Sequence, residues 1–213
     1  MRRFVVGLWL AAWTSLACAC INNIGTDRTG LRFQHDWYTG DELVASLAWR
    51  TARAGRSALN DASRRLAKDV QATPDFANRN DLAVNLIRQG RTTVAMRLLI
   101  ANERDFPARA ETAANLGTAL ELAGFDTVAL RWIRIGIQRN PDEHFGTEWL
   151  HARILEAKVA ARNDPAYLAT HSVAGVRFED TVLPPLPKAY PSGNNGRPVD
   201  PRGLNKALNY QLY

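Results

Sequence analysis

The chain has 213 residues, 46% of them hydrophobic, and a formal net charge of +6, enough for one domain with a core or for a short repeat array with extensions. The basic excess is mild, no basic run exceeds two residues and the 8% aromatics are spread along the chain, which excludes the usual footprint of nucleic-acid binding. Both cysteines, Cys18 and Cys20, lie near the start, so the body has no internal disulfide and depends on packing alone.

Arg2 and Arg3 precede an apolar run from Phe4 to Leu16, and Ala17-Cys18-Ala19 follows as a small-x-small cleavage site. This predicts a secretory signal over residues 1–19, with an apolar stretch too short to span a bilayer; an uncut N-terminal anchor is the alternative. Cys20, after Leu16-Ala17-Cys18-Ala19, resembles the acylation site of bacterial lipoproteins, as does Cys18 after Ser15-Leu16-Ala17, although neither has a leucine three residues earlier. Simple export is the first expectation, and an acylated Cys20 would tether the domain by lipid instead of by a helix.

Residues 20–40 mix Asn, Gly, Thr and Asp with isolated apolar residues, and predict an irregular segment pinned by Leu31, Phe33, Trp37 and Tyr38. Helical spacing begins after Thr39-Gly40-Asp41, with Leu43, Leu47 and Ala48 on one face, and Gly55 punctuates it. A second helix carries Leu59, Ala62, Leu66 and Val70 and stops before Thr73-Pro74, because the residue ahead of proline avoids the helical region. Residues 41–75 are therefore expected to form a degenerate helical hairpin.

Pro74, Pro107 and Pro141 stand 33 and then 34 residues apart, and one pattern runs twice between them. Leu82, Ala83, Leu86, Gly90, Ala95, Leu99 and Pro107 are matched by Leu116, Gly117, Leu120, Gly124, Ala129, Ile133 and Pro141. Ala83, Gly117, Ala95 and Ala129 suit helix crossings, where a larger side chain would push the axes apart. Gly90 and Gly124 suit left-handed helix ends, and Asp81 and Asp126 are expected near helix starts.

This pattern resembles the tetratricopeptide repeat, a helical hairpin of about 34 residues. The resemblance covers residues 76–143 and departs from the family at Arg79 and Ala113, where a large aromatic is frequent, and at Leu86 and Leu120. It implies an all-α fold: a short right-handed superhelical stack of antiparallel helix pairs, with a capping helix and irregular termini. Residues 144–162 are expected to be that capping helix, with Trp149, Leu150, Ile154 and Leu155 apolar and Glu148, Arg153, Glu156 and Lys158 polar. Residues 163–203 hold the six prolines from Pro184 to Pro201 and read as an irregular, extended linker. In residues 204–213 the stripe Leu204, Leu208 and Leu212 predicts a partial helix, which either docks elsewhere or belongs to a free tail. Removal of everything after Pro184 is expected on this reading to leave the fold intact.

No phosphate-cradling glycine loop, paired-cysteine knuckle, HExxH helix or GxSxG elbow occurs, so no catalytic, cofactor-binding or metal-ligating residue is assigned and the chain reads as no enzyme. His144 and His151 are seven residues apart, a poor spacing for shared ligation, and are expected to be surface or half-buried residues. Asp105, Glu111 and Glu121 read as a solvated acidic face.

The resemblance instead implies a concave binding face on the first helices. At the family's ligand offsets stand Asn80, Val84 and Arg88, then Ala114, Asn115, Thr118 and Glu121, then Glu148 and Ala152. Arg88 and Asn115 are the foremost polar contacts for a peptide, while the lysine and asparagine clamp of chaperone-tail binders is not reproduced. Arg97, Arg104, Arg131, Arg134 and Arg139 decorate the second helices. Such a face could meet anionic lipid, although arginine stems more often lie over apolar ground.

The expected function is a noncatalytic scaffold or adaptor of the bacterial cell envelope. Its partner is a protein or peptide, with no cofactor, no nucleic acid, and membrane contact only through a lipid anchor. The alternative is the N-terminal interaction module of a larger envelope enzyme or transport assembly.

Overall fold

The structure, a computed structural model, describes residues 52–211 apart from 178, 180, 184 and 186, together with 25–26 and 32–33. The expected signal segment, Cys18, Cys20, Leu31, Trp37, Tyr38 and the first helix of the opening hairpin lie outside the described residues.

Helices dominate: α1 (Arg53–Ala72), α2 (Phe76–Arg88), α3 (Thr92–Asp105), α4 (Ala110–Leu122), α5 (Asp126–Arg139), α6 (Glu148–Asn163), the single turn α7 (Tyr167–Thr170) and α8 (Pro201–Gln211). From α1 to α6 each helix packs on the next, and α2 also touches α4. The fold is thus all-α, with adjacent helix pairs stacked in chain order. Ahead of them β1 (Gly25–Thr26) pairs antiparallel with β2 (Arg32–Phe33) in the register Gly25↔Phe33, and β1 lies against α2.

The periodic positions build the core. Leu82, Ala83, Leu86, Ala95, Leu99 and Leu116 share one buried cluster with Ile87 and Ala119. Ala129 and Ile133 form the next with Ala152 and Leu155. At Gly117 the helices cross so closely that a Cβ would stand 2.5 Å from Ile133 Cδ1 and 3.2 Å from the Ile133 backbone nitrogen. Gly90 and Gly124 take φ of 72° and 86°. Each closes a Schellman turn: the N–H groups of Arg91 and Phe125 donate to the carbonyls of Leu86 and Leu120.

Several local expectations are corrected. Gly55 does not break a helix; it sits buried in the first turn of α1. Asp81 lies inside α2, and Asp75 is the residue that caps it, accepting from the Asn78 N–H at 2.9 Å. Arg79, where the family favours an aromatic, lays its guanidinium 5.4 Å from the Phe106 ring centre and pairs with Asp105 at 2.6 Å, so it fills the place by a cation–π contact. The capping helix starts at Glu148, because His144 and Phe145 turn the backbone left-handed at φ of 51° and 56°.

The largest correction concerns the C-terminal stretch. Residues 163–203 were expected to be a linker, yet α7, an antiparallel bridge between His171 and Arg177 and another between Ser192 and Pro198 order much of it. Asn194 ties it to the stack: its Oδ1 accepts from the Trp149 N–H at 2.6 Å, satisfying a donor at the start of α6, and its Nδ2 donates to the Pro141 carbonyl at 2.8 Å. Within this stretch Val182 and Leu183 stand in solvent. α8 begins at Pro201, not 204, and packs on α6 through Leu204, Ala207 and Leu208 against Trp149, Leu150 and Ile154. Leu150 and Ile154 follow Leu116 and Leu120 by 34 residues. The stack therefore continues in register into α6, and α8 covers the apolar face of that helix.

Candidate functional site: the face of the first helices

The expected binding positions come together on α2, α4 and α6, but as a filled layer. Asn80, Val84, Ala114, Asn115, Thr118, Glu121, Glu148 and Ala152 are all buried, and Arg88 alone is half-buried. Asn115 Nδ2 donates to Asn80 Oδ1 at 2.9 Å, which joins α4 to α2. Thr118 returns its hydroxyl proton to the Ala114 carbonyl, one turn earlier in α4. Beside them Ser63 donates to Asn85 at 2.7 Å and Gln89 donates to the Leu59 carbonyl, linking α1 to α2. Buried polar groups demand partners, and here the partners lie on neighbouring helices, so the polar layer fixes the helix register.

Glu121 and Glu148, expected to reach a ligand, instead belong to a buried chain of charges. Glu148, fully buried, accepts through Oε2 from His144 Nδ1 and through Oε1 from His151 Nδ1 at 3.2 Å. His151 Nε2 meets Glu121 Oε2 at 2.6 Å. Both ring nitrogens of His151 thus face carboxylate oxygens, and only the imidazolium donates to both. Lys158 bonds Glu121 Oε1 at 2.9 Å and approaches Asp126 at 3.4 Å, and Arg162 closes the series on Asp126 at 2.7 Å. Thr147 donates to the His144 carbonyl at 2.6 Å and accepts from Gln211 at 3.2 Å, which carries the network onto α8. The Tyr210 ring lies 5.4 Å from that of His144.

This buried network of charges holds protons and ties α4 to α6. Burial alone would push the imidazolium of His144 down; the charge and hydrogen bond of Glu148, with Glu143 nearby, raise it above its ordinary value. Burial would likewise raise Glu148 and Glu121, but His144 and His151 hold Glu148 well below the usual carboxylate range, and His151 and Lys158 lower Glu121. A raised histidine stabilises the fold fully below about pH 6.5 and ceases to as pH rises through its folded value. Lowered carboxylates stabilise above about pH 4.5 and lose that contribution as pH falls. The melting temperature is therefore expected to peak between these limits and to decline on both sides. In His144→Gln the alkaline decline should flatten; an unchanged pH profile by circular dichroism would show that the network is not its source.

His144 and His151 are buried instead of at the surface or half-buried as expected, and Glu148, expected on the polar face of the capping helix, is buried too. One signal was present in the sequence: His151 occupies the slot that Gly117 and Ala83 fill one and two periods earlier. A large polar ring in a small-residue slot has to be bound from both sides. Among the described residues no cluster of three or more His, Cys, Asp or Glu side chains is arranged to hold a metal ion, and no helix is long and apolar enough to cross a membrane. No protein-family model, curated protein or solved structure matches the chain.

Proposed function

We propose that the protein is a noncatalytic scaffold of the bacterial cell envelope, a short tetratricopeptide-like superhelix that holds an extended segment of another protein on the concave side of its first helices. One observation carries this reading: β1, a piece of extended chain, already rests against α2, the first helix of the array. A helix surface that accepts one extended backbone suits another of similar shape. Arg88, half-buried at the end of α2, is the charged group on that face best placed to meet a peptide carbonyl or carboxylate. The buried layer behind it, from Asn80 to Glu148, keeps the helices in register.

The test is a photoreactive amino acid placed at the exposed position 81, two turns before Arg88 on α2, and at Ala72 on the end of α1 as control, in cells that make the protein. A partner joined from position 81 but not from position 72, and lost when Arg88 is replaced by Glu, is the expected result. Equal adducts from both positions, or adducts only within the chain itself, would reject the scaffold reading.

A further inference from the structure

The second helices carry a repeated outward motif that neither the core nor the first-helix face explains. Thr93-Val94-Ala95-Met96-Arg97 on α3 recurs as Thr127-Val128-Ala129-Leu130-Arg131 on α5, 34 residues later. In both copies the alanine is wholly buried, while the threonine, valine and arginine are exposed. A core requirement accounts for Ala95 and Ala129 but places no demand on three matched outward side chains.

The arginines of this face divide into two kinds. Arg139 is half-buried and grips Glu103 through two nitrogens, at 2.5 and 2.7 Å, which sets α5 beside α3. Arg104 pairs with Asp105 and Arg134 with Glu156. Arg97 and Arg131 are exposed and, among the described residues, have no carboxylate partner. The apolar side chains near them in the sequence, Val94, Ile100 and Val128, are exposed too.

We propose that this outer face of α3 and α5 docks on an anionic lipid surface, with Arg97 and Arg131 on headgroup phosphates and Val94, Ile100 and Val128 at the level of the acyl boundary. Charge complementarity supplies the argument: unpaired cations at a repeat spacing match a surface of many equivalent anions, and aliphatic side chains between them gain nothing from water or from a phosphate backbone. A nucleic-acid strand would call for a series of stacking rings between the cations; α3 and α5 themselves expose the aliphatic Val94, Ile100 and Val128, and a single exposed ring, Phe125, stands just ahead of α5. This contact is separate from any lipid on Cys20.

The full chain and its double variant Arg97→Glu/Arg131→Glu are compared by co-sedimentation with vesicles of phosphatidylcholine alone and with one quarter phosphatidylglycerol. The expected result is a preference for the anionic vesicles of at least tenfold, weakened by salt and abolished in the variant with its helical spectrum unchanged, since each surface arginine changes partition by about fivefold. The apolar N-terminal run is common to both proteins, so it cancels from the comparison. Equal binding to both vesicles, a preference that survives in the variant, or charge-dependent binding to duplex DNA in place of vesicles would overturn the proposal.

Discussion

A chain ending at Asp200 is expected to melt on the order of 10 °C lower than the full chain, with Trp149 fluorescence shifted to the red. Its loss removes Ala207, wholly buried, and the half-buried Leu204 and Leu208 from the face made by Trp149, Leu150 and Ile154. Each such side chain returned to water costs about 1 to 2 kcal/mol, and a domain of this size loses roughly 2–4 °C per kcal/mol. The truncation also takes away Gln211, whose amide serves Thr147 beneath the His144 turn. Ala207→Asp should reproduce much of the effect without shortening the chain. Retention of the full melting temperature by both proteins would return α8 to the status of a free tail, as its proline-rich approach first suggests.

Gly117→Leu is expected to destabilise the stack by about 3 kcal/mol, measured by urea or thermal unfolding. The reason is positional. A Cβ there would meet Ile133 Cγ1 at 2.7 Å as well as Cδ1, with the Ile133 backbone nitrogen at 3.2 Å, and Ile133 is wholly buried. The further atoms of leucine would have to part α4 from α5, the pair that holds the middle of the stack. Gly124→Ala makes the contrast: nothing lies within 4 Å of its Cβ, but φ of 86° penalises any side chain, so a loss of about 1 kcal/mol is expected. If the leucine variant proved no worse than the alanine variant, the crossing assigned to Gly117 would be wrong.

What repeats in a sequence is legible, and what occurs once is not. Ala83, Ala95, Ala129, Leu99, Ile133, Gly90 and Gly124 recur at one spacing because each helix pair poses the same packing problem, and the structure finds all of them where that spacing requires. The left-handed pair His144 and Phe145 stands where the link one period earlier has a single left-handed residue, Ala108 at φ 63°, and neither alanine nor phenylalanine advertises positive φ. The burial of Glu148 was hidden because an acid early in a helix reads as a favourable first-turn charge facing water. Its actual surroundings depend on His151, which in turn meets Glu121 of α4, a contact between residues 30 positions apart that composition does not encode. Proline content misled over the C-terminal stretch for a related reason. Proline removes a backbone donor but says nothing about docking: Pro191 is buried, its carbonyl accepts from the Val199 N–H at 2.9 Å beside the Ser192–Pro198 bridge, and Asn194 holds Trp149.

The placement of α8 against α6 divides the molecule's folding into two regimes. From α1 to α6 every helix meets its neighbour in the chain, so those contacts close short loops and can form one after another. α8 has to find α6 across the whole of residues 164–200, a search whose entropy grows only slowly with loop length but whose rate falls with it. The stack can therefore be complete while α8 is still loose, and the same asymmetry runs in reverse. Detachment of this last helix exposes Trp149, Leu150 and Ile154 as a ready apolar strip and leaves the earlier helix pairs closed.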